Sequence, residues 1–256
     1  MRSRLIYIDS LAKLKLAQKD IDTAPIICVD TEYDSLRYFK EKLCLIQIAT
    51  DKKIYFCDPL IRYDISFLAT AFANPSQVKV FHAAENDIRL LKREYGFSFE
   101  NIFDTQRVAL MLGCNAPSLL RLIEKFLGIK IEKSKAIQRS RWDKRPLDDE
   151  QLIYAAGDVY HLKKLYKKLD EIILQKGLQQ EAQKVFNTVA QIKWHGRKID
   201  LLGHKKIAGF EQLNSLQQRR LQSLYYWRFH KAKLLDRAVH RVMSDKELFS
   251  LVDSVL

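Results

Sequence analysis

Over its first 170 residues the chain alternates short β-like runs with stretches of helical periodicity, and after Gly177 the strand signals nearly vanish. Strands interleaved with helices build an α/β layer architecture, and a strand-free remainder must form a helical region of its own. "PIICVDTEY" reads as a strand. "LCLIQIAT" and "KIYFCDP" are two more, joined by the polar turn "TDKK" into a hairpin that makes part of the sheet antiparallel. "VKVFHAA" reads as a further buried strand and leads into the helix "ENDIRLLKREYG", terminated at Gly96. "DTQRVALMLG" and "PSLLRLIEKFLG" repeat the helical pattern, with Asp104 and Ser118 as natural N-caps. From Leu147, "LDDEQLIYAAGDVYHLKKLYKKLDEIILQKG" places acids in a first turn and lysines later, which predicts one long helix. The basic, glycine-bearing "KWHGRKIDLLGHKK" reads as a connection before helix resumes.

A chain of 256 residues holds one sizeable core with room for a smaller second domain. No apolar stretch approaches the roughly 20 residues of a membrane helix, so no membrane partner is expected. The opening "MRSRLIYIDSLAKLKLAQKD" is interrupted by Asp9 and Lys13, does not read as a secretory signal, and points to the cytoplasm. Cys28, Cys44, Cys57 and Cys114 lie in apolar stretches with no C-x-x-C pair, as reduced core thiols do. The net charge of +13 is unevenly spread: 29 basic against 23 acidic side chains in residues 1–170, and 15 against 8 in residues 171–256. Such a surface suits a polyanion, although it also serves solubility.

The apolar residues 26–29 run directly into Asp30, Glu32 and Asp34. Carboxylates crowded beside a core repel one another and are costly unless solvent or a cation attends them. Positions two apart on a strand share a face, so Asp30 and Glu32 point the same way and form a hard-cation ligand set, while Asp34 falls beyond the strand. Asp87 sits in the first turn of the helix after another buried strand, and Tyr154 and Asp158 are neighbours on one helix face. Taken singly these are a solvated loop start, a dipole partner and surface decoration. Their joint occurrence in this order carries more.

The sequence resembles ribonuclease D and, more broadly, the 3′-to-5′ exonucleases with four acidic metal ligands and a catalytic tyrosine. "VDTEYDS" matches the first motif of that family with Asp30 and Glu32, "VFHAAENDIRLL" the second with Asp87, and "YAAGDVYHL" the third with Tyr154 and Asp158. The histidine branch of these enzymes carries its histidine five residues before the last aspartate. That position here is Ile153, so the tyrosine branch is favoured. "LCLIQIAT", "CDPL", "FDTQ" and "WDKRPLDDEQL" extend the likeness over roughly residues 5 to 175; Arg141 departs from it, since relatives commonly carry an acid there. The resemblance implies a ribonuclease H-like mixed sheet flanked by helices, the DnaQ-like exonuclease fold, over residues 1–175. A basic helical connection would occupy 176–208. Residues 209–256 look like the opening helices of the helicase-and-RNase-D C-terminal module, a nucleic-acid-binding bundle; Leu256 falls about halfway through it, as in a degenerate module or a fragment.

The resemblance further implies two divalent ions, Mg²⁺ or Mn²⁺. Asp30 would bridge both, Glu32 and Asp158 would complete the site of the water-activating ion, Asp87 would hold the second, and a neutral Tyr154 would orient the attacking water. Tyr33 and His82 would contact terminal nucleotides, or pack in the core; Lys135, Arg141 and Arg145 would meet backbone phosphates, or form a solvated basic face. The implied activity is a 3′-to-5′ exoribonuclease acting on transfer RNA precursors or other RNA with a free 3′ end, in a chain expected to be a monomer. A DNA 3′-to-5′ exonuclease is the nearest alternative, because the metal site does not read the sugar. A scaffold that lost the chemistry should lack at least one ligand, whereas all four acids and the tyrosine are present.

Overall fold

The computed structural model describes residues 4–61, 63–132 and 134–253. The chain divides into two compact units, residues 1–33 with 43–194 and residues 34–42 with 195–256. The first unit is built on six strands: β1 (Leu5–Tyr7), β2 (Ile26–Asp34), β3 (Lys42–Ala49), β4 (Ile54–Cys57), β5 (Val78–Phe81) and β6 (Ile102–Asp104), in the spatial order β1-β4-β3-β2-β5-β6. β3 and β4 are the expected antiparallel hairpin, with Ile46 opposite Cys57, while β1 on β4, β2 on β5 and β5 on β6 run parallel. The sheet is therefore mixed, as expected.

Helices α1 (Leu11–Thr23), α2 (Leu68–Ala73), α3 (Glu85–Tyr95), α4 (Thr105–Met111), α5 (Leu119–Leu127), α6 (Lys135–Gln138), α7 (Asp149–Tyr160), α8 (Leu162–Gln175) and α9 (Gln179–Ala190) belong to this unit. The sequence explains their limits. Asp104 and Ser118 cap α4 and α5 as expected, and Gly96 and Gly128 end α3 and α5 at φ +68°, where a Cβ would be strained. β2 is apolar on both faces, so each face has its own core. Ile27 and Val29 join Ala17, Ile21 and Ile88 in one cluster; Cys28 joins Ala155, Ala156, Val159 and Leu165 in the other. Each buried valine, leucine or isoleucine among them contributes roughly 1.5–3 kcal/mol on burial. Because Asp30 and Glu32 continue the phase of Cys28, this packing turns them toward the face that α7 covers.

Two expectations need correction. The single long helix from Leu147 is two, α7 and α8. At His161 the N–H turns to the Val159 carbonyl, which interrupts the i to i−4 ladder. The expected boundary at residue 175 also lies inside the first unit, because α9 buries Ala182 and Phe186 against one core and Val189 against the other. Cys28 and Cys57 are core thiols whose burial pushes their pKa up to about 12, which leaves them unreactive. Lys79, fully buried in β5, donates from Nζ to the carbonyls of Asn74 (2.5 Å) and Gln77 (2.8 Å), and burial lowers its pKa to about 8.

The second unit contains no strand of its own among the described residues beyond the last residue of β2 and the first of β3. Its long helix α10 (Ser215–Leu235) begins with an Asn214–Gln217 capping box and is followed by α11 (Val239–Val242) and α12 (Asp245–Ser250). Ile207, Phe210, Leu221, Leu248 and Val252 form its core. Residues 34–42, from the last residue of β2 to the first of β3, belong here too. Phe39, 4% exposed, meets the Phe229 ring edge-on at 5.1 Å; the Ala238 N–H donates to the Arg37 carbonyl (3.0 Å) and the Lys40 N–H to Asp236 Oδ1 (3.0 Å). The last residues of the expected partial module, 254–256, lie outside the described residues.

Candidate active site

β2 delivers Asp30 and Glu32, and α7 delivers Asp158. One carboxylate oxygen from each lies within 4.8 Å of the other two. Two oxygens on opposite sides of an ion with bonds of about 2.1 Å are about 4.2 Å apart, so the spacing suits one hard divalent cation bound by all three. The donor set of carboxylates, partly open to solvent, is also the one such ions prefer.

Asp87 approaches from α3 and is 6% exposed. Its carboxylate accepts a hydrogen bond from the Thr31 hydroxyl, and Thr31 itself lies between Asp30 and Glu32. Burial, and secondarily the charge of Asp30, push the Asp87 carboxyl well above the usual carboxylate range, with the Thr31 hydrogen bond opposing them. Among the described residues, then, three of the four expected acids converge directly and the fourth is electrostatically linked to the group.

The turn that aims α3 is held by a residue read from sequence only as a cap. Asp104, fully buried, accepts from the N–H groups of Ala83 (3.0 Å), Ala84 (2.9 Å), Gln106 (2.8 Å) and Arg107 (3.3 Å). Ala83 has φ +59°, which costs a non-glycine residue about 1 kcal/mol, and the carboxylate that binds its N–H offsets that strain. Asp104 thus ties β6 and α4 to the start of the helix that carries Asp87.

Tyr154, half-buried on α7, packs beside the Trp142 ring at 6.0 Å between centroids. Burial first, then the charges of Glu32 and Asp30, push its hydroxyl far above the ordinary tyrosine range, so it stays neutral and able to donate. α7 is fixed at its start by the Asp148–Gln151 capping box, and Gln151 Nε2 also donates to Ser140 Oγ (2.8 Å). Trp142, 2% exposed, anchors the same loop through Nε1 to the Gln138 carbonyl (3.2 Å).

The outlying expected residues fare differently. Arg145 is not an exposed phosphate contact, and that expectation is corrected. All five of its N–H donors are engaged: two by the carboxylate of buried Asp58 (one at 2.6 Å), the others by the carbonyls of Cys44 (2.5 Å), Trp142 (2.7 Å) and Lys144 (2.7 Å). Arg141 is exposed but chelated by Asp143 through two 2.7 Å bonds, and Lys135 stands exposed on α6. His82 is half-buried. The Thr105 hydroxyl donates to the Phe81 carbonyl (3.1 Å), so His82 Nδ1 must be the donor to Thr105 (3.0 Å), which fixes its tautomer. Tyr33 accepts at its hydroxyl from Asn86 Nδ2 (3.1 Å), on the rim formed by the residues next to Glu32 and Asp87. Asp34 and Glu85 take no part in the acidic cluster: Asp34 binds the Leu36 and Arg37 N–H groups and the Arg37 guanidinium, and Glu85 pairs with Arg107.

A mixed sheet flanked by helices, with acids gathered on its second strand and a covering helix, has the ribonuclease H-like architecture of exonuclease domains. Residues 5–174 match the family described as 3′-5′ exonuclease, and the chain belongs to that family. The exosome complex component 10 homolog of Drosophila melanogaster is 28% identical over an alignment of 260 residues that covers 99% of this chain and 29% of that protein. This chain thus spans less than a third of that relative. Escherichia coli RNase D, an exoribonuclease involved in structured RNA processing, has a crystal structure that matches at 26% identity with a TM-score of 0.70, covering 97% of this chain and 66% of that one. The catalytic core of RRP6 from Trypanosoma brucei shares the fold with a TM-score of 0.90 at 24% identity, over 98% of this chain and 70% of that one.

Proposed function

We propose that the protein is a divalent-metal-dependent exoribonuclease that shortens RNA from its 3′ end and releases nucleoside 5′-monophosphates. The convergence of Asp30, Glu32 and Asp158 beside a neutral Tyr154 carries this reading. Asp30, Glu32 and Asp158 would hold one ion and Asp87, with Asp30, a second. When bound, Mg²⁺ or Mn²⁺ supplies an activated water and neutralises charge on the leaving oxygen. The chain's own residues do the rest. The carboxylates would hold those ions in place for the phosphodiester, and Tyr154 would donate or accept a hydrogen bond that aims the incoming water. Tyr33 and His82 would contact the terminal nucleotides, and Lys135 with Arg141 would offer positive charge to a backbone; Arg145, fully engaged by its own fold, is left out.

The substrate class rests on the RNA enzymes named above, with transfer RNA precursors and a cytoplasmic setting as the narrower reading. No helix among the described residues is long and apolar enough to cross a membrane. The basic helical region, likened to the helicase-and-RNase-D C-terminal module, would add affinity for RNA. The test is degradation of 5′-labelled and 3′-labelled single-stranded RNA beside matched DNA, with Mg²⁺, with Mn²⁺ and with chelator. Metal-dependent release of single nucleotides from the RNA 3′ end, lost in Asp30→Asn, is expected. Preferential shortening of DNA would move the reading to a DNA exonuclease, and binding without cleavage under every metal condition would overturn the catalytic assignment.

A further inference from the structure

Thr31 separates the two strand carboxylates in sequence, and strand alternation turns it away from both. Its bland role would be that of any β-branched residue in a strand. The structure gives it another: its hydroxyl donates to Oδ1 of Asp87 across 56 residues of sequence, and both side chains are 6% exposed. An aspartate has few rotamers but little to choose between them when its carboxylate is flanked by a second acid. A β-branched side chain is stiff about χ1, so its hydroxyl is a fixed point rather than a mobile one. The bond engages Oδ1, so the hydroxyl fixes one of the two carboxylate oxygens and with it the plane of the group. It also locks α3 to β2 at the level of Asp30 and Glu32, two elements that otherwise bring their acids independently.

We propose that Thr31 is a positioning residue, which sets the orientation of Asp87 and thereby the affinity of the second divalent-ion site. The inference rests on the reading of Asp87 as a ligand of that ion. Hydrogen bonds behind a metal ligand commonly govern affinity by 10–100-fold, so loss of this hydroxyl has a measurable consequence without loss of any ligand.

The experiment is titration of the whole chain with Mn²⁺ alone, followed by calorimetry and by electron paramagnetic resonance, on wild type, Thr31→Val, Thr31→Ser and Asp87→Asn. Thr31→Val keeps the shape and removes the hydroxyl; it is expected to bind the second ion about 10–100-fold more weakly. Thr31→Ser keeps the hydroxyl and is expected to lie within about threefold of wild type. In RNA degradation, raising Mg²⁺ should restore turnover to Thr31→Val, a selectivity that a merely structural defect would not produce. Should Thr31→Val not fold, Thr31→Ala is read in the same way. Wild-type Mn²⁺ affinity in the hydroxyl-free variant, with one ion lost in Asp87→Asn, overturns the role of Thr31 and leaves the ligand set standing. Wild-type binding in Asp87→Asn overturns the ligand reading, and the inference with it.

Discussion

Asp30, Glu32 and Asp34 stand in one strand, two residues apart, yet the structure divides them: the first two join Asp158, while the third closes the loop that follows. Asp34, expected beyond the strand, is instead the last residue of β2, so spacing alone does not distinguish it from the other two. The acids and Tyr154 were legible because metal chemistry demands those residue types and because the elements carrying them have clear periodicity. Thr31 and Asp104 were not legible as site residues. A threonine in a strand and an aspartate before a helix each have an ordinary reason to be there, and only the long-range hydrogen bonds reveal more. For Tyr154, replacement by phenylalanine removes the hydroxyl and keeps the packing on Trp142. Turnover should fall by about 100-fold with the melting temperature nearly unchanged, as single-turnover kinetics beside calorimetry would show.

At the scale of elements, the hairpin and the helix caps were readable from turn residues, whereas β1 and β6 were not, since three-residue strands show too little alternation to stand out. The break between α7 and α8 was hidden because the apolar spacing continues through it and no proline or glycine marks His161. The loop from Ser134 to Leu147 misled for a different reason: exposed arginines and latched ones look alike in a sequence. Asp58→Asn leaves the Arg145 guanidinium without its charge partner and should cost about 3 kcal/mol, lowering the melting temperature of the first unit by roughly 6–12 °C. A shift below about 2 °C would remove the latch from the account.

Lys79, in β5, supplies a pH dependence at the scale of an element. Its folded pKa, about 8, lies below the unfolded value of 10.5, so the unfolded chain holds the proton longer. Between those values unfolding binds a proton, and stability contributed at this site rises with pH rather than falling. Chemical denaturation of wild type against Lys79→Met should therefore show wild type gaining about 2 kcal/mol on the variant from pH 8 to pH 10, with parallel curves below pH 7.

On the scale of the whole molecule, the two-part organisation was anticipated from the loss of strand signals after Gly177, but its boundary was not. Helical periodicity alone does not say which core a helix serves, and α9 serves the sheet. Nor does sequence order show that residues 34–42 belong with the helices near the C-terminus. Phe39 is the test. Phe39→Ala opens a void beside Phe229 and should cost about 3–4 kcal/mol in the second unit, read as faster amide exchange across α10 and α11. A polypeptide of residues 195–256 alone, lacking that ring, should show weaker helical protection than the same residues in the full chain.

The division of that unit into two stretches has a consequence in time. About 150 residues separate its first segment from its second, and at roughly 5–20 residues per second a ribosome needs about 8–30 s to make them. During that interval β2 can already join its sheet, but Phe39 has emerged without the helix that will cover it. The nascent protein therefore carries an uncovered aromatic side chain a few residues beyond Glu32 until α10 has been made, and holding that segment clear of wrong partners becomes a task for chaperones rather than for the fold.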